Sequence, residues 1–142
     1  MLVRTATAED ADILYELLCL YRHKELPRDI FDGILKANRN DAHKRLALAV
    51  VDGKAIGFAN VDVKLTISTC SLIATINDLF ILEDYRRKKY GSGLLMSITS
   101  QMKTLGCSYV EICCNRVDIK AQSFLENSGY VKSRHLFVRT IE

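Results

Sequence analysis

Apolar residues along this chain recur first at helical and then at strand spacing, and the changes of period divide it into elements. Leu2–Ala6 reads as a short strand. Thr7 can cap the free amides of a helix start, and Glu9 and Asp10 suit the positive end of that helix. Ile13, Leu14, Leu17, Leu18 and Tyr21 then form one apolar stripe. A second helix is expected from Pro27, with Ile30, Phe31, Ile34 and Leu35 as its buried face.

Strand patterns follow. The runs Arg45–Val51 and Lys54–Thr66 flank Asp52-Gly53, a pair that accepts the positive φ of a tight hairpin turn. Ser71–Leu82 is a third long strand, nearly continuous in hydrophobicity and so expected to be buried on both faces. A helix begins near Tyr90–Gly91, carries Leu94, Leu95, Ile98, Met102 and Leu105 on one side, and meets a terminating glycine at Gly106. Ser108–Asn115 reads as a strand, Asp118–Tyr130 as a short helix ending near Gly129, and His135–Ile141 as a last strand. The order predicts a mixed α/β fold. Its sheet is mostly antiparallel with one parallel strand pair across a helical crossover, and helices cover both faces.

Composition narrows the class. The chain has 142 residues, 49% hydrophobic and 26% charged, which suits one globular domain and excludes a disordered chain. No apolar run reaches the roughly 18–20 residues of a membrane span, and the N-terminus lacks a leader pattern. Five cysteines, Cys19, Cys70, Cys107, Cys113 and Cys114, form no C-x-x-C. They predict reduced, mostly buried thiols and a cytoplasmic protein, with no metal site. The net charge of +3 does not by itself indicate a nucleic-acid partner.

The charge is concentrated locally. Arg86, Arg87, Lys88 and Lys89 run into Tyr90, Gly91, Ser92 and Gly93 where a helix begins. The first amides of a helix are unpaired and carry partial positive charge, so this junction is a candidate phosphate site. It is not a Walker loop, because G-x-x-x-x-G-K-[ST] is absent. It is not a dinucleotide fingerprint either, because Met96 stands where the third glycine is needed. A nucleic-acid site is disfavoured, since only Tyr85 and Tyr90 accompany the four cations.

The stretch Asn77–Leu95 resembles the acyl-CoA-binding motif of the GNAT-superfamily N-acetyltransferases, a strand end followed by [Q/R]-x-x-G-x-[G/A] at a helix start. Two registers compete: Lys88-x-x-Gly91-x-Gly93 has both glycines but sits two residues late, whereas Arg86-x-x-Lys89-x-Gly91 keeps the family's distance from the strand and is preferred, with Lys89 replacing the first motif glycine. Asn115, Ala121, Phe124, Gly129 and Tyr130 match the family's C-terminal motif. Asp118 stands at a usual asparagine, and Leu125 at the tyrosine that protonates the departing CoA thiolate. The resemblance covers the whole chain, 1–142, as a single acyl-CoA N-acyltransferase domain. It implies transfer of an acetyl group from the co-substrate acetyl-CoA to an amine without a covalent intermediate. Leu79, Phe80 and Ile81 would pair with the pantetheine arm. The amides of Arg86–Ser92 would hold the pyrophosphate, and Asn115 and Leu125 are carried over as further cofactor-binding positions. Asp78, a carboxylate in an apolar strand, is the candidate base.

The acceptor is less determined. The chain's length and the segments around Asn38–Gly57 and Gly129–Ile141 resemble the aminoalkylphosphonate N-acetyltransferase branch, for which Arg22 and Arg28 would suit an acidic group on a small amine. A non-catalytic acyl-CoA-binding or regulatory module, or a peptide or protein acetyltransferase, is the alternative. Homodimers are common in the family. Nucleic acid and membrane are not expected partners.

Overall fold

The computed structural model describes residues 1–141. The backbone forms two compact units, residues 1–111 and a second beginning at Ile112. In chain order the elements are β1 (Leu2–Thr5), α1 (Ala11–Arg22), α2 (Arg28–Arg39), β2 (Lys44–Val51), β3 (Lys54–Thr66), β4 (Ser71–Ile81), α3 (Tyr90–Leu105), β5 (Val110–Ile112) and α4 (Ile119–Asn127). The five strands lie side by side in sequence order. β1 to β4 are antiparallel neighbours. β5 returns beside β4 after the α3 crossover, and its bonds advance in step (Ser108 amide to Leu72 carbonyl, Ala74 amide to Tyr109 carbonyl), which makes this pair parallel. The β2–β3 turn is the expected one, with positive φ at Asp52 (49°) and Gly53 (78°).

Strand alternation sorts the core. Leu48 pairs with Phe58 and Phe58 with Phe80 across β2, β3 and β4. Leu14 and Leu17 of α1 and Leu35 of α2 pack on this row, with Tyr21 and Phe31 half-buried at its margin. Ala59, Val61 and Val63 point to the other face of β3, and Leu94, Leu95, Ile98 and Met102 of α3 are buried. The expected four-residue face of α2 is only half right. Phe31 and Leu35 turn inward, whereas Ile30 and Ile34 are 60% and 55% exposed. The two pairs occupy adjacent helical stripes about 100° apart, and α2 rests on one of them.

The entry to α1 is built around Asp10, which is buried and forms a two-pronged ion pair with Arg4 at 2.8 Å on both arms. The Thr7 amide and hydroxyl also donate to it, at 2.7 and 3.1 Å. A short 3₁₀ turn, Ala8–Asp10, precedes the α-helix proper. The Arg4 hydrogen bonds hold the Asp10 carboxyl well below the usual range, against the opposing effect of burial. A depressed folded-state pKa stabilises the fold fully above the unfolded value of about 4, and this is lost as pH falls through the folded value. Because the Arg4 side chain is 40% exposed, Asp10→Asn is expected to cost only about 1–2 kcal/mol near neutral pH. In urea unfolding the gap to wild type should narrow in strong acid, and a pH-independent gap would contradict the pairing.

Gly57 is needed for a different reason. A Cβ there would fall far inside contact distance of the Phe80 carbonyl oxygen and 3.2 Å from the Ile81 Cα. Gly57→Ala should therefore cost about 1–3 kcal/mol by displacing the end of β4. An unchanged denaturation midpoint would contradict this.

In the second unit, Asp118 caps α4 by accepting from the Ala121 amide at 3.0 Å, and Gly129 (φ 89°) lies just beyond its end. The strand expected at His135–Ile141 does not form. Its residues have strand propensity, but a strand is defined by a ladder with a neighbour, and Leu136, Phe137, Val138 and Ile141 are exposed, Phe137 at 90%. The expectation of mostly buried cysteines also fails: Cys70, Cys113 and Cys114 are exposed, and Cys19 and Cys107 are half-buried free thiols. Cys70 sits in a left-handed turn position (φ 51°), and β5 ends at Ile112, before the Cys113–Cys114 pair.

Candidate active site

β4 leads into the basic run through a 3₁₀ turn at Glu83–Tyr85. Arg87 and Lys89 then adopt left-handed φ values of 60° and 65°. Such positions cost a non-glycine residue about 1–3 kcal/mol each and cluster where backbone shape serves function. Lys89 thus stands in a glycine-like conformation, at the position where a glycine was expected. It is also the N-cap of α3, and its side chain makes no capping bond. The first intrahelical bond runs from the Gly93 amide to the Lys89 carbonyl at 3.0 Å. The amides of Tyr90, Gly91 and Ser92 precede it and are the helix's unpaired donors.

The four cations divide by what they touch. Arg86 donates through Nε to the Ile81 carbonyl at 2.9 Å and lies over the Phe80 ring at 5.5 Å. It ties the loop back to the strand end. Lys88 sits over the Tyr85 ring at 5.7 Å, and Lys54 approaches the same ring at 5.6 Å. Arg87 and Lys89 are exposed, and among the described residues neither has an ion-pair partner. Two free cations beside three open amides fit a multiply charged phosphate ligand.

A second feature interrupts β4. Asn60 faces Asp78, but the next residue of β3, Val61, faces Ile76, so Asn77 is the extra residue of a β-bulge. The bulge brings Asp78 beside Asn60, whose amide donates to Asp78 Oδ2 at 2.9 Å. Tyr21 of α1 leans on Phe58 and Phe80 at ring distances of 5.7 and 5.6 Å. Burial pushes its hydroxyl pKa up, and the adjacent Asp78 carboxylate pushes it further. One row along the sheet, Lys44 pairs with Asp62 at 2.8 Å, and Thr75 donates to Glu111 at 2.9 Å. Burial opposes ionisation of Asp62, but hydrogen bonds from Lys44 and Asn77 outweigh it and hold the pKa low. This face therefore passes from an aromatic row to a polar floor at Asp78.

Comparison with known proteins identifies the family. The family model described as acetyltransferase (GNAT) family matches residues 11–130. The chain belongs to the GNAT acetyltransferase family. It is accordingly an acyltransferase. An aminoalkylphosphonate N-acetyltransferase of Salmonella typhimurium is 27% identical over 139 residues, which cover 98% of this chain and 90% of that protein. Among solved structures, a transcriptional regulator from Bacillus halodurans C-125 superposes with a TM-score of 0.90 at 21% identity, over 99% of both chains. An aminoglycoside N-acetyltransferase in complex with CoA gives a TM-score of 0.85 at 18% identity, over 97% of this chain and 93% of that one. At these identities the two structures show a shared GNAT fold.

The first unit brings together most of the residues singled out in the sequence. Asp78, Leu79, Phe80 and Ile81 follow the bulge, and Arg86 to Ser92 follow the strand. Asn115 and Leu125 belong to the second unit. The Asn115 side chain accepts from the Val117 amide at 3.2 Å, and Leu125 is buried on α4. Arg28 is not free for an acceptor. It pairs with Asp12 at 2.6 Å and Asp32 at 2.9 Å and stacks on Tyr15 at 4.9 Å. Sequence reasoning missed Asn60, Asn77 and Tyr21. The available signal was two polar residues, Asn60 and Asn77, inside apolar strands; Tyr21 was hidden in the α1 stripe.

Proposed function

We propose that this GNAT protein moves an acetyl group from acetyl-CoA to the primary amine of a small molecule by direct attack. The observation that carries this reading is the sequence of features along one strand: a bulge presenting Asp78, an extended end at Leu79–Ile81, then an uncapped, basic helix start. β5 pairs with β4 near Leu72–Thr75, so Leu79–Ile81 keep one edge unpaired by strand among the described residues. The amide-bearing pantetheine arm would add there as an extra strand does, and its pyrophosphate would meet Arg87, Lys89 and the amides of Tyr90–Ser92.

Asp78 takes a proton from the protonated acceptor amine, the neutral nitrogen bonds the thioester carbonyl carbon, and the C–S bond breaks with the electron pair leaving on sulfur while the nitrogen sheds its second proton to solvent. With Leu125 at the usual tyrosine position, the thiolate takes its proton from solvent, which a thiol pKa of about 8.5 allows. The curated relative's name supports a small amine as acceptor. No helix among the described residues is long and apolar enough to cross a membrane. Leu125 is also the observation that favours the second reading, a module that binds acyl-CoA without transferring the acyl group.

Mass spectrometry tests the direct route. With acetyl-CoA and an amine mixture, the acetyl group should appear on an amine. With acetyl-CoA alone, the intact protein mass should stay unchanged. A stoichiometric acetyl-protein, at a cysteine for instance, would overturn direct attack.

A further inference from the structure

One cavity opens on the same sheet face, between the end of α2 and strands β1 to β3, with a volume of about 90 Å³. Its floor is apolar, formed by Leu35, Leu46 and Ala6, and its polar lining comes from Asn38, Arg39, Lys44, Arg45 and Asn60. Three of those groups are cationic and none is a carboxylate. Arg45 donates through Nη1 to the carbonyls of Ala42 and Lys44. Lys44 gives one bond to Asp62, and an ammonium has two more N–H donors. Arg39 has no ion-pair partner among the described residues. A cavity with an apolar floor, an exposed, unpaired guanidinium and a partly used ammonium is suited to an anion, which both cations can hold by charge-assisted bonds.

Asn60 connects this cavity to the chemistry. It lines the cavity and its amide donates to Asp78 at 2.9 Å. We propose that the cavity is the subsite for an anionic group on the acceptor, with Arg39 and Lys44 as its cationic contacts and Asn60 as the link to the amine position at Asp78. This rests on the transferase reading above and narrows its substrate class. Lys44 faces Asp62 and Asp78 faces Asn60, so Lys44 on β2 and Asp78 on β4 are two strand spacings and two residues apart, or roughly 12 Å between backbones. Side chains reaching inward from both ends leave room for an amine and an acid separated by a few bonds, as in short aminoalkyl phosphonates, sulfonates and carboxylates. It also moves the acid-binding role from Arg28, which Asp12 and Asp32 occupy, to Arg39 and Lys44. The competing class is the polyamines, which the carboxylates of Asp62, Asp78 and Glu111 would favour.

The test compares 2-aminoethylphosphonate, taurine and β-alanine with n-propylamine and spermidine, following CoA release by wild type, Arg39→Ala, Arg39→Lys and Lys44→Met. The acid-bearing amines should be preferred over n-propylamine. That preference should fall tenfold or more in Arg39→Ala, mainly through KM, and return in part in Arg39→Lys. The ranking among the three acids identifies the anion. A preference unaffected by Arg39→Ala, or spermidine as the best acceptor, overturns the subsite. A second arm needs no turnover: methylphosphonate titrated into isotope-labelled wild-type protein should shift the backbone resonances of Asn38, Arg39, Lys44 and Asn60. Failure of every amine to release CoA would sink the transferase reading alone, and the methylphosphonate titration would still decide the cavity. Shifts confined to other residues would overturn the subsite.

Discussion

Reversing the two free charges of the loop, Arg87→Glu with Lys89→Glu, is expected to abolish stabilisation by acetyl-CoA. A ligand present at about a hundred times its dissociation constant stabilises a protein by about 2.7 kcal/mol. For a chain of this size that corresponds to a rise in Tm of roughly 8 °C. Each charge-assisted contact is worth about 1.5–3 kcal/mol, so losing two, with repulsion added, removes the affinity that produces the shift. The rise should fall below about 1 °C at the same ligand concentration. Arg86→Glu is a poorer probe. It would also break the bond to the Ile81 carbonyl and the contact with Phe80, and so lower Tm without ligand. A full acetyl-CoA shift in the double variant would remove the phosphate cradle from the account.

Asp78→Asn is expected to lower kcat by about 10²–10⁴-fold, the usual contribution of a positioned general base. Asparagine keeps the size and can still meet Asn60, so the fold and acetyl-CoA stabilisation should persist. That combination separates chemistry from binding. Raising the pH should recover part of the loss, because more of the amine is then already neutral. A variant with near-wild-type kcat at neutral pH would show that the amine's proton leaves by another route.

Much of this arrangement was legible in the sequence, and the parts that were not share a cause. The Asp52–Gly53 turn, the α3 start after four cations and the glycine role of Lys89 are local, and local chemistry determines them. The bulge at Asn77 depends on register with β3, and a one-residue offset between strands leaves no trace in a single strand's pattern. Arg86 and Arg87 look alike in sequence, yet only Arg86 reaches back to Ile81. Ile30 and Phe31 are equally apolar, and the sheet covers only one of their stripes. His135–Ile141 has strand composition without a ladder. The cavity at Arg39 joins α2, β2 and β3, elements that no motif connects.

CoA release measured with acetyl-CoA and a panel of small amines, polyamines and peptides tests the central claim most directly. The account predicts amine-dependent release with at least one small primary amine, lost in Asp78→Asn while acetyl-CoA still raises Tm. Stabilisation by acetyl-CoA with no release above the amine-free rate for any member of the panel would contradict it, and would identify the chain as a binding module in which Leu125 marks a lost activity.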